Sequence, residues 1–170
     1  MPRVSFDALP DHGRLWVFPA SRPLTEQEQS RLLGEVDGFL EAWAAHGRPL
    51  EAACELIEDR FLLIGVDVDV AAPSGCSIDA LVHRLEALAG GLGITLNDHA
   101  LVRYRTEEGE IRTLSRADFR ALVSAGRVGP DVRVFDTTLT NVGERRAGQL
   151  EGPAAERWHG RAFFRGQLQP

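Results

Sequence analysis

A cysteine at the start of a predicted helix is the residue of this chain best placed for covalent chemistry. Cys76 follows a loop of small residues, and the positive end of a helix dipole favours the thiolate form of a cysteine there. A thiolate enzyme also needs a base, for which His46 and His83 are the two candidates. With Asp67 or Asp79 orienting the histidine, the pattern predicts a cysteine-dependent hydrolase or acyl transferase.

The same residues also have purely structural explanations, which stay open. Asp79 and His83 have the i, i+4 spacing of an ordinary pair on a solvated helix face. His46 falls where the first predicted helix ends, and a histidine there interacts favourably with the helix dipole. Cys76 packs against its neighbours in this interpretation, while Ser77 caps the second helix.

The loop before the second helix offers a further possibility, the binding of an anion. Free backbone N–H groups and the positive dipole end of a helix both point at such a loop, and together they bind phosphates and carboxylates. The predicted ligand-binding residues around it are Asp67, Ser74, Gly75, Ser77 and Asp79.

A divalent-metal site is the third hypothesis for this region. Asp67 and Asp69 form a D-x-D pair where a strand ends, and with Asp79 or His83 they would supply oxygen-rich ligands for Mg²⁺ or Mn²⁺ in phosphoryl chemistry. The spacing matches no defined metal loop, and the other histidines are too scattered for a structural zinc site. The sequence therefore predicts no bound metal and no cofactor.

The composition excludes several function classes. All 19 basic residues are arginine, and the chain of 170 residues has no lysine. P-loop NTPases, protein kinases and pyridoxal-phosphate enzymes each need a lysine and are excluded. The net charge of −6 argues against a nucleic-acid or anionic-membrane partner.

The cellular compartment is also predicted from composition. Two cysteines without a C-x-x-C pair fit a reduced cytoplasmic protein. The start of the sequence lacks an apolar signal core, and the longest apolar run, Phe61 to Val66, is too short to span a bilayer.

The elements that position these residues follow a recognisable order. Strands are predicted at 15–18, 52–56, 61–66 and 100–105, with one helix behind the Thr25 capping box and one behind Ser77. This is the βαββαβ order of a ferredoxin-like α+β fold, whose right-handed crossovers place both helices on one face of a four-stranded antiparallel sheet. The first and third strands, the most apolar, are expected at the centre.

Two domains are predicted from this order. Residues 1–105 form the ferredoxin-like core, and residues 106–170 form a small C-terminal α+β extension packed on it. The extension contains a hairpin turn at 107–110, a helix capped by Ser115 and closed by Gly126, a strand at 132–135, and a last helix from Pro153 to Gly160.

The second face of the core sheet is the other candidate binding surface. By strand alternation, Arg103 and Arg105 point away from the helices, together with Glu55, Trp16 and Phe18. Such a face either holds a ligand or partner or is covered by the C-terminal tail. We expect the C-terminal tail to cover this face, because large apolar patches are seldom left exposed. The aromatic residues expected to cover it are Phe135, Trp158, Phe163 and Phe164.

Two resemblances to known families follow from the motifs. The run Ser74-Gly-Cys-Ser-Ile-Asp79, with Trp43-x-x-His46 and Arg22-Pro-Leu-Thr25, resembles a family of small uncharacterised bacterial proteins often labelled "ABC transporter ATPase". The missing Walker lysine contradicts that label. The stretch from Ala100 to Thr138 resembles GYF-like peptide-binding modules, although their Gly-Pro pair is not present before Leu114.

Together these observations predict a non-enzymatic binding or accessory module, not an ATPase. Its partner would be a small anionic ligand or a protein, with no nucleic acid and no membrane. The cysteine hydrolase or acyl transferase and the metal-dependent phosphoryl enzyme are the alternatives.

Overall fold

A computed structural model describes residues 4–167 of the chain, which has a mixed α+β fold with antiparallel sheets. The chain divides into two compact units. The first contains the chain up to Asp98 and the later segment Thr138–Ala147, and the second contains His99–Thr137 and the chain from Gly148 onward. None of the described helices is long and apolar enough to cross a membrane.

The elements of the first unit begin with a strand near the N-terminus. In chain order they are β1 (Arg14–Pro19), α1 (Glu26–Ala42), β2 (Ala44–Ala45), β3 (Arg48–Pro49), β4 (Ala52–Ile57), β5 (Phe61–Val66) and α2 (Gly75–Leu92). The chain continues with β6 (Val102–Arg105), β7 (Ile111–Leu114), α3 (Arg116–Ser124), β8 (Arg133–Phe135), α4 (Val142–Arg146), β9 (Glu151–Pro153) and α5 (Trp158–Phe163). Of these later elements, only α4 lies in the first unit.

The sheet of the first unit has three antiparallel strands in the order β1-β5-β4. All six residues of β5 are buried, as expected for a central strand that is apolar on both faces. The two long helices cover one face of this sheet. Their buried stripes are Leu32, Val36 and Leu40 of α1 and Leu81, Leu85 and Leu88 of α2.

The expected four-stranded ferredoxin-like sheet is not found. Its fourth strand, β6, pairs with β7 and β8 in the second unit instead of with β1, so the predicted core loses its last strand. The segment Thr138–Ala147 takes that place beside β1. The Leu15 amide donates to the Thr140 carbonyl at 2.9 Å, and the Val142 amide donates to the Gly13 carbonyl at 2.9 Å.

The second face of this sheet is covered, but not by the residues that the sequence suggested. Leu9, Ala53 and Val142 form a small buried cluster there, with Val4 and Phe6 packed against it. The cover is therefore the N-terminal segment and α4.

The N-terminal segment packs closely on β5 at Gly65, where a Cβ would lie 2.6 Å from the Leu9 Cδ1 atom and would force that side chain to shift. Trp16 and Phe18, expected on the covered face, pack instead into the cluster on the helix side. The C-terminal aromatic residues Phe163 and Phe164 belong to the core of the second unit.

The second unit is a four-stranded antiparallel sheet in the order β7-β6-β8-β9, with α3 and α5 contributing to its core. Phe119 of α3 is the centre of an aromatic cluster, with ring centroids 5.5 Å from Tyr104, 4.9 Å from Phe163 and 6.3 Å from Phe164. The hairpin at 107–110, the Ser115 cap and the strand at β8 confirm the local predictions for this region.

The predicted bounds of the last helix are wrong. Pro153 ends β9 and is the N-cap of a short 3₁₀ helix, Ala154–Glu156, while α5 begins only at Trp158 and runs through Gly160 to Phe163. A Cβ on Gly160 would lie 2.9 Å from the Ala154 carbonyl oxygen. Glycine is therefore required at this position by close backbone packing and not by the end of a helix.

Candidate functional site

The start of α2 is closed by a capping box that involves two serines. The Ser74 hydroxyl accepts from the Ser77 amide at 3.2 Å, and the Ser77 hydroxyl accepts from the Ser74 amide at 2.8 Å. Ser74 is therefore the N-cap, and Ser77, predicted to be the cap, is the third helical residue. Gly75 and Cys76 consequently lie in the first helical turn.

Ser77 also joins α2 to the rest of the first unit. It is buried, its hydroxyl donates to the Ser74 carbonyl at 2.8 Å, and its carbonyl accepts from the Trp43 indole N–H at 2.8 Å. The Trp43 ring in turn packs edge-on against Trp16, with centroids 6.1 Å apart. These contacts give Ser77 a complete structural role at the start of the helix.

The structure does not bring the three predicted catalytic residues into one hydrogen-bonded group. Cys76 is exposed, and so are His46 and His83. No hydrogen bond joins the Cys76 thiol to either histidine in the part of the chain that the structure describes. The arrangement therefore lacks the nucleophile–base pair that a thiol enzyme uses.

His46 differs from its predicted setting. The first helix ends at Ala42, and Trp43 is already extended, so His46 is not at a helix C-terminus. It lies with Gly47 in the two-residue turn between β2 and β3, with φ of 51° and 75° at the two positions. These positive φ values are typical of a tight hairpin turn.

The aspartates after β5 form a surface turn. The Asp69 amide donates to the Asp67 carboxylate at 3.0 Å, and the Asp69 carboxylate lies 2.6 Å from Nε2 of His12. Asp79 is exposed on α2. Within residues 4–167, no three histidine, cysteine or acidic side chains are grouped so that they could hold a metal ion. The D-x-D pair and Asp79 therefore do not form a metal centre.

The two arginines expected on the open face of the first sheet lie in β6 of the second. Arg103 is buried, with only 1% of its surface exposed. Arg105 binds Glu151 through two parallel hydrogen bonds, from Nε at 2.8 Å and from Nη2 at 2.9 Å. Its Nη1 atom donates to the Gly109 carbonyl at 2.9 Å and so holds the β6–β7 hairpin turn.

Glu151 is shared between two arginines. Arg133 donates from Nε to the same carboxylate at 2.9 Å. Hydrogen bonds from Arg105 and then Arg133 hold the pKa of Glu151 below its ordinary value, because they stabilise the charged form. Glu151 therefore stays ionised near neutral pH and pairs with both arginines, with two hydrogen bonds from Arg105 and one from Arg133.

A cleft of about 740 Å³ lies within the second unit, beside this ion network. The hairpin turn, the end of α3 and the loop before β8 form its walls. Its lining includes four arginines over apolar side chains. The lining residues are Tyr104, Arg105, Thr106, Glu107, Glu108, Gly109, Arg112, Leu122, Arg127, Val128, Gly129, Asp131, Val132 and Arg133.

Backbone geometry positions one of these arginines with particular precision. The amide of Gly126 donates to the Val123 carbonyl at 3.0 Å, and the amide of Arg127 donates to the Leu122 carbonyl at 3.0 Å. With a φ of 69° at Gly126, this is the Schellman arrangement that ends α3. The Arg127 backbone is thereby fixed at the wall of the cleft.

A buried histidine in the core of the second unit has an unusual environment. His159 is 1% exposed and stacks on Trp158 with ring centroids 3.9 Å apart. Its Nδ1 atom and the Trp158 Nε1 atom are buried and have no hydrogen-bond partner among the described residues. Burial lowers the pKa of His159 to about 4, with smaller effects from Asp136, Arg116 and Arg157.

The sequence predicted Arg105 as a ligand-binding residue but did not single out Arg112, Arg127 or Arg133. An arginine in a hairpin or loop has no sequence pattern that separates it from any other arginine of a lysine-free chain. One signal was available, because all of the lining residues fall within Ala100 to Thr138, where the sequence resembles GYF-like modules. No family model matches the chain, and neither a curated protein nor a solved structure matches it.

Proposed function

We propose that the protein is a non-enzymatic binding or accessory module of the cytoplasm, whose second unit binds a small anionic ligand or a segment of a protein partner. The observation that carries this proposal is the cleft of about 740 Å³, in which arginines surround apolar side chains. Binding sites for small molecules and peptides commonly combine a mainly apolar surface with a few polar groups that fix orientation.

The apolar and charged parts of the cleft have separable roles. Leu122, Val128 and Val132 are half-buried, so each is exposed enough to contact a ligand and packed enough to hold its place. Guanidinium groups recognise carboxylates and phosphates through paired hydrogen bonds. The resemblance of this stretch to GYF-like modules supports a peptide segment as the occupant.

The first unit supports the non-enzymatic part of the proposal. Cys76 lies in the first turn of α2, where a thiolate would be favoured, but no base is hydrogen-bonded to it among the described residues. Both cysteines are free thiols, which fits the reducing conditions of the cytoplasm.

The test is a selection of displayed random peptides on the intact protein, followed by affinity measurement for an enriched peptide. Val128→Asp places a charge on the apolar wall of the cleft. Val70→Asp is the matched control, because Val70 is an exposed valine of the first unit, 40% accessible. We expect at least a tenfold loss of affinity for Val128→Asp and none for Val70→Asp.

Two results would overturn the proposal. One is the absence of any enriched peptide, together with no shift of cleft amide signals on titration with acetate as a small probe that carries one carboxylate. The other is cleavage or acylation of the bound peptide, seen by mass spectrometry and abolished by Cys76→Ser. That second result would establish the cysteine enzyme instead.

A further inference from the structure

The four arginines of the cleft are not equally available to a ligand. Arg105 and Arg133 share the Glu151 carboxylate, at 2.8 to 2.9 Å. Arg127 makes no side-chain hydrogen bond or ion pair with the described residues. Arg112 has only a 4.0 Å approach to Glu110, with side chains 61% and 71% exposed, and such an exposed pair contributes little.

The two available arginines are held on opposite structural elements. Arg112 lies in β7, directly opposite Tyr104 in the register of the β6–β7 hairpin. Arg127 lies just beyond α3, where the Schellman hydrogen bond from its amide to Leu122 fixes its backbone. Both line the same cleft, and apart from the 4.0 Å approach of Arg112 to Glu110, neither guanidinium group pairs with a carboxylate among the described residues.

The remaining charges of the cleft restrict the kind of anion that fits. Glu107 and Glu108 of the hairpin turn and Asp131 before β8 also line it. These carboxylates, and the net charge of −6 on the whole chain, oppose a ligand with many negative charges. A single carboxylate aimed at the two arginines satisfies them without bringing further charge near the acidic residues.

We propose that the occupant of the cleft is a peptide segment with one acidic side chain, bound by Arg112 and Arg127, and with apolar neighbours. The inference deepens the proposed function and rests on it. Apolar neighbours are required because Leu122, Val128 and Val132 offer no hydrogen-bonding groups from their side chains. Charge complementarity at two defined positions, over an apolar surface, is what distinguishes this ligand from a general anion.

The experiment compares displayed-peptide selections on the intact wild-type protein and on Arg127→Glu and Arg112→Glu. Arg161→Glu is the control, since Arg161 is an exposed arginine of α5 in the same unit and does not line the cleft. The amide spectra of all variants are compared first to confirm that the second unit is folded. Arg127→Lys, which keeps the charge but not the planar fork, is the conservative variant.

We expect one acidic position among the peptides enriched on the wild type and on Arg161→Glu. Replacing that acid by its amide should weaken binding about tenfold, as expected for one charge-assisted pair. The same position should become basic in peptides selected on Arg127→Glu or Arg112→Glu, and Arg127→Lys should retain part of the affinity.

The ways in which the experiment can fail are distinguishable. Peptides that bind the cleft but show no acidic preference would overturn this inference and leave the proposed function standing. An acidic preference that survives both charge reversals would also overturn it, because the acid would then be bound elsewhere. If no peptide binds but acetate shifts the cleft amide signals, this inference fails and the proposed function stands. If neither binds, the proposed function fails, and the inference fails with it.

Discussion

Protonation of His159 should weaken the second unit in mildly acidic solution. The histidine is buried against Trp158, and burial lowers its pKa to about 4, from the ordinary value of 6.5. The Arg116 and Arg157 charges act in the same direction, and Asp136 opposes them. In the unfolded chain the same histidine takes up a proton near its ordinary pKa.

The direction of the effect follows from which state binds more protons. Between pH 6.5 and about 4, the unfolded state carries a proton on His159 and the folded state does not. The contribution of the neutral His159 side chain to the free energy of unfolding is therefore complete above pH 6.5 and is lost progressively as the pH falls to about 4. One pKa unit corresponds to about 1.4 kcal/mol, so the full loss amounts to about 3 kcal/mol.

Two glutamates with lowered pKa values act in a different pH range. Hydrogen bonds from Arg22 and then the Thr25 amide lower the pKa of Glu28 to about 2 from the ordinary 4.5, and Glu151 is shifted in the same direction by Arg105 and Arg133. Their contributions are present above pH 4.5 and are lost below it. Of the described groups with shifted pKa values, only His159 differs in protonation between the unfolded and folded states as the pH falls from 6.5 to 5.

The assay is urea denaturation of the wild type and of His159→Gln at several pH values between 7 and 5. Amide signals of β6 and β8 follow the second unit separately from the first. Because only the pH dependence is compared, the packing change in the variant does not enter. The wild type should lose about 2 kcal/mol relative to the variant over this range. Parallel stability curves for the two proteins would refute the assignment of a buried neutral histidine.

Two further predictions concern the first unit. Gly13→Ala should destabilise it by about 1 to 3 kcal/mol, because a Cβ there would lie 2.9 Å from the carbonyl oxygens of Pro10 and Val66. Gly38 has an open position in α1, so Gly38→Ala should instead stabilise the unit by about 0.5 to 1 kcal/mol. Similar thermal midpoints for the two variants would contradict the packing argument. Ser74→Ala removes half of the capping box and should cost about 1 kcal/mol in urea denaturation, whereas an unchanged midpoint would show that α2 does not depend on its cap.

Local sequence signals predicted the individual elements well. The capping box from Thr25 to Glu28 begins α1 as expected, and the continuously apolar run of β5 occupies the centre of its sheet. The Ser115 cap and the Gly126 end of α3 are also confirmed. Each of these features depends on residues within one or two turns of each other, so the sequence contains the whole of the relevant interaction.

The choice of sheet for β6 could not be predicted in the same way. The sequence predicted β6 at an edge of the first sheet, but it is an inner strand of the second sheet, between β7 and β8. The sheet that it joins depends on which distant segment pairs better with β1. The segment Thr138–Ala147 reads as polar and irregular, yet Val142 fills the space beside Gly13 and Gly65 while nearby backbone groups pair with β1. Leu139 and Val142 are the buried apolar residues of this polar stretch, and two such residues give no periodic signal from which the pairing with β1 could be predicted.

The candidate site could not be predicted from the sequence for a similar reason, because the role of a single side chain depends on its neighbours in the fold. The residue types of Cys76, His46 and Asp67 suggest chemistry, but the described residues place no base against Cys76 and group no three ligands for a metal ion. The arginines of the cleft have identical side chains, and only the position of Glu151 distinguishes them. By binding Arg105 and Arg133 together, Glu151 turns two of the four into structural residues. This is why we propose Arg112 and Arg127 as the pair that binds an acidic ligand.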